Sequence, residues 1–274
     1  MTKERLKEVQ CKQLEIMDAI HKVCTENHIT YYLIGGLCLG AIRHKGFIPW
    51  DADIDIAMPR KDYDRFFNEV CSLLPPQFVA HTYKTDKMFY APHGLVCLEG
   101  SVLLTKADLY DTHVPKFGIY IDVMPLDVCP VDLPQQHKHK NGYLRLKKLK
   151  KLKISRIYKE NNFLQKCIKI MLRMVLYPIS VRRINQWQEK VMTQYNHLID
   201  SPYWCSIASK YRYEKQLMDK SIYGTPKLAK FENRMYYIPE KTDIYLSKLY
   251  GDYMSLPSEE EQEKMYNYFE VARW

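Results

Sequence analysis

The sequence predicts an α+β fold, a mixed sheet with flanking helices followed by a helical C-terminal half. Three observations carry this. Leu6, Val9, Leu14, Met17, Ile20 and Val23 recur near helical spacing, so residues 3–27 form an amphipathic helix. An apolar run, Tyr31 to Ile34, breaks at Gly35-Gly36 as a strand does when it turns into a helix. A third stretch, Asp51-Ala52-Asp53-Ile54-Asp55-Ile56, alternates acidic and apolar residues with the period of a strand.

The remaining elements follow in order. Leu37–Arg43 reads as a short helix and His44-Lys45-Gly46 as a turn. Lys61–Leu74, between Pro59 and Pro75-Pro76, carries Tyr63, Phe66, Phe67, Val70 and Leu74 as a helical stripe. Phe78–Tyr83 is a strand, and Leu95–Leu98 with Val102–Leu104 a hairpin around Glu99-Gly100. In the strand from Gly118 to Val123, Ile119, Ile121 and Val123 face a core while Tyr120 and Asp122 face away. From Leu133 the pattern turns helical, with further helices at Phe163–Val181, Gln186–Ile199 and Ser258–Ala272. Tyr245, Leu246, Leu249 and Tyr250 form a helix that ends at Gly251 and packs to close the domain.

The acidic stretch points to chemistry. On a strand, Asp51, Asp53 and Asp55 share one face and Ala52, Ile54 and Ile56 the other. Adjacent carboxylates repel, so folding alone does not favour them. A divalent cation relieves the repulsion, and magnesium takes such hard oxygen ligands while leaving room for water and phosphate. A strand turning through two glycines lets backbone N–H groups approach a phosphate, with the positive end of a helix behind them. Arg43, His44 and Lys45 add positive charge. An acid at the middle of an apolar strand is costly to bury unpaired, which singles out Asp122. Asp127 either orients its loop or holds a helix start.

The string GGLCLGAIRHKGFIPWDADIDIAMPRKDYDRF resembles the LicD family of phosphotransferases. Its Gly-Gly corner followed by Asp-x-Asp is similar to the nucleotidyltransferase fold of the polymerase-beta type. GIYIDVMPLD resembles that family's second acidic strand, and IPEKTDIYLSKLYGDYMSLP its C-terminal signature. The resemblance implies a nucleotidyltransferase-like catalytic core over residues 1–130, with a basic helical region and the signature over 131–274 packing on it. It implies one or two magnesium ions at Asp53, Asp55 and Asp122, the last as base or as ligand only. Gly35, Gly36, Arg43, Lys45, Trp50 and Asp51 are the expected substrate-binding residues, Asp51 in support. The donor implied is a CDP-alcohol, CDP-choline first, and the acceptor a sugar of a surface polysaccharide or glycolipid precursor, free or lipid-linked. The family usually reads Asp-Asp-Asp-Ile-Asp after the Trp, and Ala52 departs from it; facing away from Asp53 and Asp55, it should leave the metal site intact. A nucleotidyltransferase acting on a small molecule or RNA would use the same carboxylates, and an inactive basic membrane-binding module is the non-catalytic alternative.

Composition sets the remaining bounds. The 274 residues, 46% hydrophobic, suffice for a full core. No signal peptide and no run of roughly 18 apolar residues is visible. The eight cysteines are scattered without a Cys-x-x-Cys, as expected of reduced core residues in a cytoplasmic protein, and no zinc site is expected. The His137-x-His139 pair has metal spacing but no acidic or Cys company. The net charge of +9 is uneven: residues 137–173 hold 13 Lys plus Arg and one acid, the rest 28 basic and 31 acidic side chains. Such leucine- and isoleucine-bearing basic helices suit either a solvated face or an anionic membrane surface, which would make the protein peripheral at the inner face of the membrane. Nucleic-acid binding is not expected, because the Lys residues interleave with aliphatic rather than stacking aromatic side chains.

Overall fold

The structure is a computed structural model that describes residues 2–51, 53–87, 89–105, 117–154, 162–266 and 269–274. Ala52 and residues 155–161 of the basic segment lie outside the described residues. The fold is α+β. In chain order the elements are α1 (Lys3–Glu26), β1 (Tyr32–Leu33), α2 (Gly35–Arg43), β2 (Asp55–Pro59), α3 (Arg60–Asn68) and a 3-10 turn at Val70–Leu73. Then come β3 (Phe78–His81), β4 (Gly94–Leu98), β5 (Val102–Thr105), β6 (Tyr120–Cys129), α4 (Leu133–Ile154), α5 (Phe163–Val175) and α6 (Val181–Thr193). The remainder is β7 (Tyr203–Cys205), α7 (Tyr213–Gln216), β8 (Leu217–Asp219), α8 (Lys220–Tyr223), β9 (Lys227–Phe231), β10 (Arg234–Ile238), α9 (Thr242–Tyr250), α10 (Glu259–Tyr266) and β11 (Phe269–Arg273).

The main sheet has the order β1-β2-β6-β4-β3, with β7 and β8 added along the far half of β6. Only β2 and β6 run parallel; the other pairs are antiparallel. Helix α1 begins at Thr2, whose hydroxyl accepts from the Arg5 N–H, and lays Leu6, Val9, Met17, Ile20 and Val23 into the core as their spacing requires. Ile119, Ile121 and Val123 are fully buried while Tyr120 and Asp122 are half-buried, as alternation predicts.

Four expectations are corrected. The acidic stretch is not a strand throughout: β2 begins at Asp55, and the Asp53 N–H donates to the Asp51 carboxylate at 3.0 Å, a local turn that competes with strand pairing. The hairpin of residues 95–104 does not form. Both edges of β4 are taken by β3 and β6, so after Gly100 the chain peels away and β5 pairs with β11 instead. The expected terminal helix therefore stops at Tyr266, and 269–273 is a strand. Residues 203–238 contribute strands, two of which continue the main sheet from β6. These strands are three to five residues long, too short for alternation to stand out.

Candidate active site

Strands β2 and β6 are in parallel register with Asp55 directly opposite Asp122. A backbone bond from Asp122 N–H to Ile54 O at 2.9 Å fixes that pairing, and one from Ile34 N–H to Asp55 O at 3.1 Å holds β2 on its other side to the end of β1. Both carboxylates stand where the two strands begin, and the loop before β2 adds Asp51 and Asp53. Gln10 of α1 steadies that loop, its side-chain amide donating to the carbonyls of Ile48 and Asp51 at 3.3 and 2.7 Å.

Packing acids this tightly has an electrostatic consequence. Burial pushes the Asp55 carboxyl well above the usual carboxylate range, and the charges of Asp53 and Asp122 push it further. Burial and the Asp53 charge likewise raise Asp51 to about 6. The opposing cation is Lys210, 3.1 Å from Asp53 Oδ2. Partial desolvation pulls its ammonium down, but Asp53 and Asp55 outweigh this and raise it above its usual range. On the other side His93 Nε2 lies 3.1 Å from Asp122 Oδ1, and the buried His93 Nδ1 has no hydrogen-bond partner among the described residues.

The glycine corner packs against these acids. Gly35 has φ +56°, where a side chain is strained, and its N–H donates to the Tyr245 hydroxyl at 3.1 Å. The glycine cradle is thus partly committed to α9. A Cβ on Gly36 would come within 2.4 Å of Asp51 Oδ2, so only glycine lets the carboxylate approach the first turn of α2. The Gly36 and Leu37 N–H groups in that turn have no intrahelical acceptor by position and carry the positive end of the helix.

A cavity of about 860 Å³ opens from this corner. Gly36, Arg43, Trp50, Asp51, Asp53 and Asp55 line it; Gly35 sits behind Asp55, and Asp122, next to Asp55 in the strand register, is not part of the lining. The Arg43 guanidinium donates to the carbonyls of Tyr253 and Ser255 at 2.8 and 2.9 Å, fixing one wall. Lys45 is exposed on its turn at φ +58° and does not line the cavity. Asp127 is a structural ion: fully buried, it takes two hydrogen bonds from Arg60 at 2.7 and 2.6 Å and one from Asn196 at 2.8 Å.

Sequence reasoning missed Lys210, His93 and Tyr211 altogether, and gave no role to Tyr253 within the quoted C-terminal stretch. Tyr250 it took for packing alone. Tyr211 and Tyr250 meet edge to face with hydroxyls 2.6 Å apart, and both line the cavity. Tyr250 lies in the C-terminal stretch quoted above; Lys210 and His93 stand in runs without any period or spacing to mark them.

The carboxylates supply only hard oxygens, the donor set magnesium prefers. Among the described residues no three His, Cys, Asp or Glu side chains already stand close enough to hold a metal ion. Magnesium needs only one or two carboxylates when water and phosphate complete its shell, and Asp55 and Asp122, adjacent in register, are such a pair. His139 is buried against Tyr213 (3.1 Å) and Cys129 (3.8 Å) while His137 is exposed, so those two histidines share no site.

Residues 28–93, which hold the glycine corner, β2 and His93, match the family described as LicD/FKTN/FKRP, nucleotidyltransferase domain. The lipopolysaccharide cholinephosphotransferase LicD of Haemophilus influenzae is 31% identical over 270 residues, covering 96% of each chain. An uncharacterized protein of Rickettsia typhi is 31% identical over 119 residues, 41% of this chain and 37% of its own.

Proposed function

This chain belongs to the LicD family, and from that membership we propose that it transfers phosphocholine from CDP-choline to a sugar of a lipopolysaccharide or related surface glycan. The observation that carries the proposal is the register pairing of Asp55 with Asp122, with Asp51, Asp53 and Asp55 lining a cavity that has an aromatic wall. Phosphoryl transfer asks mainly for positioning and charge neutralisation, and the site offers both.

The acceptor hydroxyl oxygen attacks the phosphorus that carries choline. The new P–O bond forms as the bond to the bridging oxygen breaks, and CMP leaves with that oxygen. The hydroxyl proton passes to a carboxylate of the corner, Asp122 being the candidate because His93 orients it. Asp53, Asp55 and Asp122 would hold one or two magnesium ions, which when bound supply charge neutralisation at the diphosphate and a lowered pKa of the acceptor hydroxyl. Gly36 and Leu37 offer N–H groups to a phosphate oxygen, and Lys210 neutralises it once released from Asp53. Trp50, Tyr211, Tyr250 and Tyr253 line the cavity and suit the quaternary ammonium of choline, which aromatic faces attract. A lipid-linked acceptor would place the enzyme at an anionic membrane surface, held there by residues 137–173.

The family's description as a nucleotidyltransferase domain favours one second reading, nucleotidyl transfer by the same carboxylates. CDP-choline labelled in both the choline and the cytidine separates the two. Phosphocholine transfer moves only the choline label to the acceptor; cytidine label on the acceptor would overturn it.

A further inference from the structure

Helix α5 is built inside out. Its apolar residues Leu164, Ile168, Met171 and Val175 recur at i, i+4, i+7 and i+11, one stripe along the helix, and are 64%, 44%, 54% and 69% exposed. Phe163, Met174 and Tyr177 widen the exposed patch at the two ends. The polar side is the one turned to the protein. Arg173 donates to the Leu152 carbonyl of α4 at 3.0 Å, and Lys153 returns a bond to the Leu176 carbonyl at 3.0 Å. A surface helix ordinarily turns its apolar stripe to the core. Here the basic residues anchor the helix and the stripe is left outside, a contiguous apolar surface of the kind that marks an interaction site.

We propose that the outward face of α5 inserts, lying flat, into an anionic lipid surface. At 13 residues the helix is about 20 Å long, too short to span a bilayer core of about 30 Å, and among the described residues no helix is long and apolar enough to cross a membrane. The charge on α4, the helix that α5 packs against, selects the occupant. Lys147, Lys148 and Lys151 of α4 are exposed in a segment with a large basic excess. Two copies docking through this face would bring like charges together, whereas acidic headgroups around an apolar interior complement both parts of it. The insertion itself does not depend on the reaction; only its use, bringing the site to a lipid-linked acceptor, rests on the proposed function.

Flotation of the full chain with vesicles tests this. Wild type should float with vesicles rich in phosphatidylglycerol and only weakly with phosphatidylcholine. Ile168→Glu/Met171→Glu should lower the bound fraction at least tenfold with an unchanged circular dichroism spectrum, because both side chains already face solvent. Lys147→Gln/Lys148→Gln/Lys151→Gln should lower it less, and only at low salt. Phosphocholine transfer to a soluble, lipid-free acceptor should be the same in wild type and both variants. Its absence from all three would count against the proposed reaction and leave the flotation result standing. Equal flotation of wild type and Ile168→Glu/Met171→Glu would overturn the proposal. So would a wild type that stays soluble beside anionic vesicles, or a wild-type dimer that the double substitution makes monomeric, which would assign the face to a second copy.

Discussion

At the scale of single residues the site is a cluster of like charges gathered by strand register and a loop turn. Under the proposed function, Asp53→Asn or Asp55→Asn should lower transfer at least a hundredfold, on the order of 3 kcal/mol, because each removes charge from the place where a cation and a diphosphate would meet. Neither should destabilise the chain. Burial and the neighbouring acids disfavour a charge on Asp55, so its neutral amide should melt at the same temperature or higher. Wild type should gain thermal stability on adding magnesium, and both variants should gain much less; equal gains would rule out the carboxylate corner as the metal site. Gly36→Ala tests the phosphate corner. Its methyl would meet only the tip of the Asp51 side chain, which can swing away. The expected result is an intact fold with a donor KM raised at least tenfold.

At the scale of elements, α4 and α6 are joined through a buried lysine. The Lys150 amine donates to the Tyr90 carbonyl and the Asn185 side-chain oxygen, both at 2.8 Å, and Asn185 in turn donates to the Phe89 carbonyl at 2.9 Å. These bonds brace the loop that presents His93 to Asp122. Desolvation lowers the Lys150 ammonium to about 7, with the Lys147 charge adding to it. Between pH 7 and the ordinary lysine value near 10.5 the unfolded chain therefore binds more protons at this position than the folded one. Stability must then rise with pH across that window, with a slope of at most about 1.4 kcal/mol per pH unit. Urea midpoints at pH 7 and pH 9.5 should show wild type gaining relative to Lys150→Met. A constant difference between the two proteins would mean that the amine is charged throughout.

At the scale of the whole molecule, Asp127 links its two halves. Arg60 of α3, Asp127 of β6 and Asn196 after α6 share one buried network, and Glu189 of α6 stands 3.6 Å from the same guanidinium. Arg60→Met should cost about 3 kcal/mol, because it leaves a buried carboxylate without its counter-charge. Arg60→Met/Asp127→Asn should recover part of that loss in a denaturant titration. No recovery would mean that the packing of the arginine stem, not the charge, is what matters. The ends of the chain are joined as well: Arg5 donates to the Ala272 carbonyl at 2.8 Å, and β11 completes the pairing of β5.

What the sequence by itself determined is what local periodicity encodes. The stripe of α1, the alternation around Asp122 and the glycine ends of α2 and α9 were all legible, because each depends on a few neighbouring residues and the 3.6 or 2.0 repeat. So was the nearness of Asp53 and Asp55, although a loop turn rather than a continuous strand delivers it. Tertiary structure alone decided the partners. Lys210 meets Asp53 across 157 positions and Tyr250 meets Tyr211 across 39, distances over which no pattern runs. It also decided which edge β5 would find, since that follows from β4 being already paired on both sides. For α5 the sequence showed an apolar face and a basic face but not which would point outward. An amphipathic pattern states only that two faces differ; which one is buried depends on the neighbours, and here the carbonyl of Leu152 takes Arg173 from the basic side while Lys153 holds the Leu176 carbonyl at the helix end.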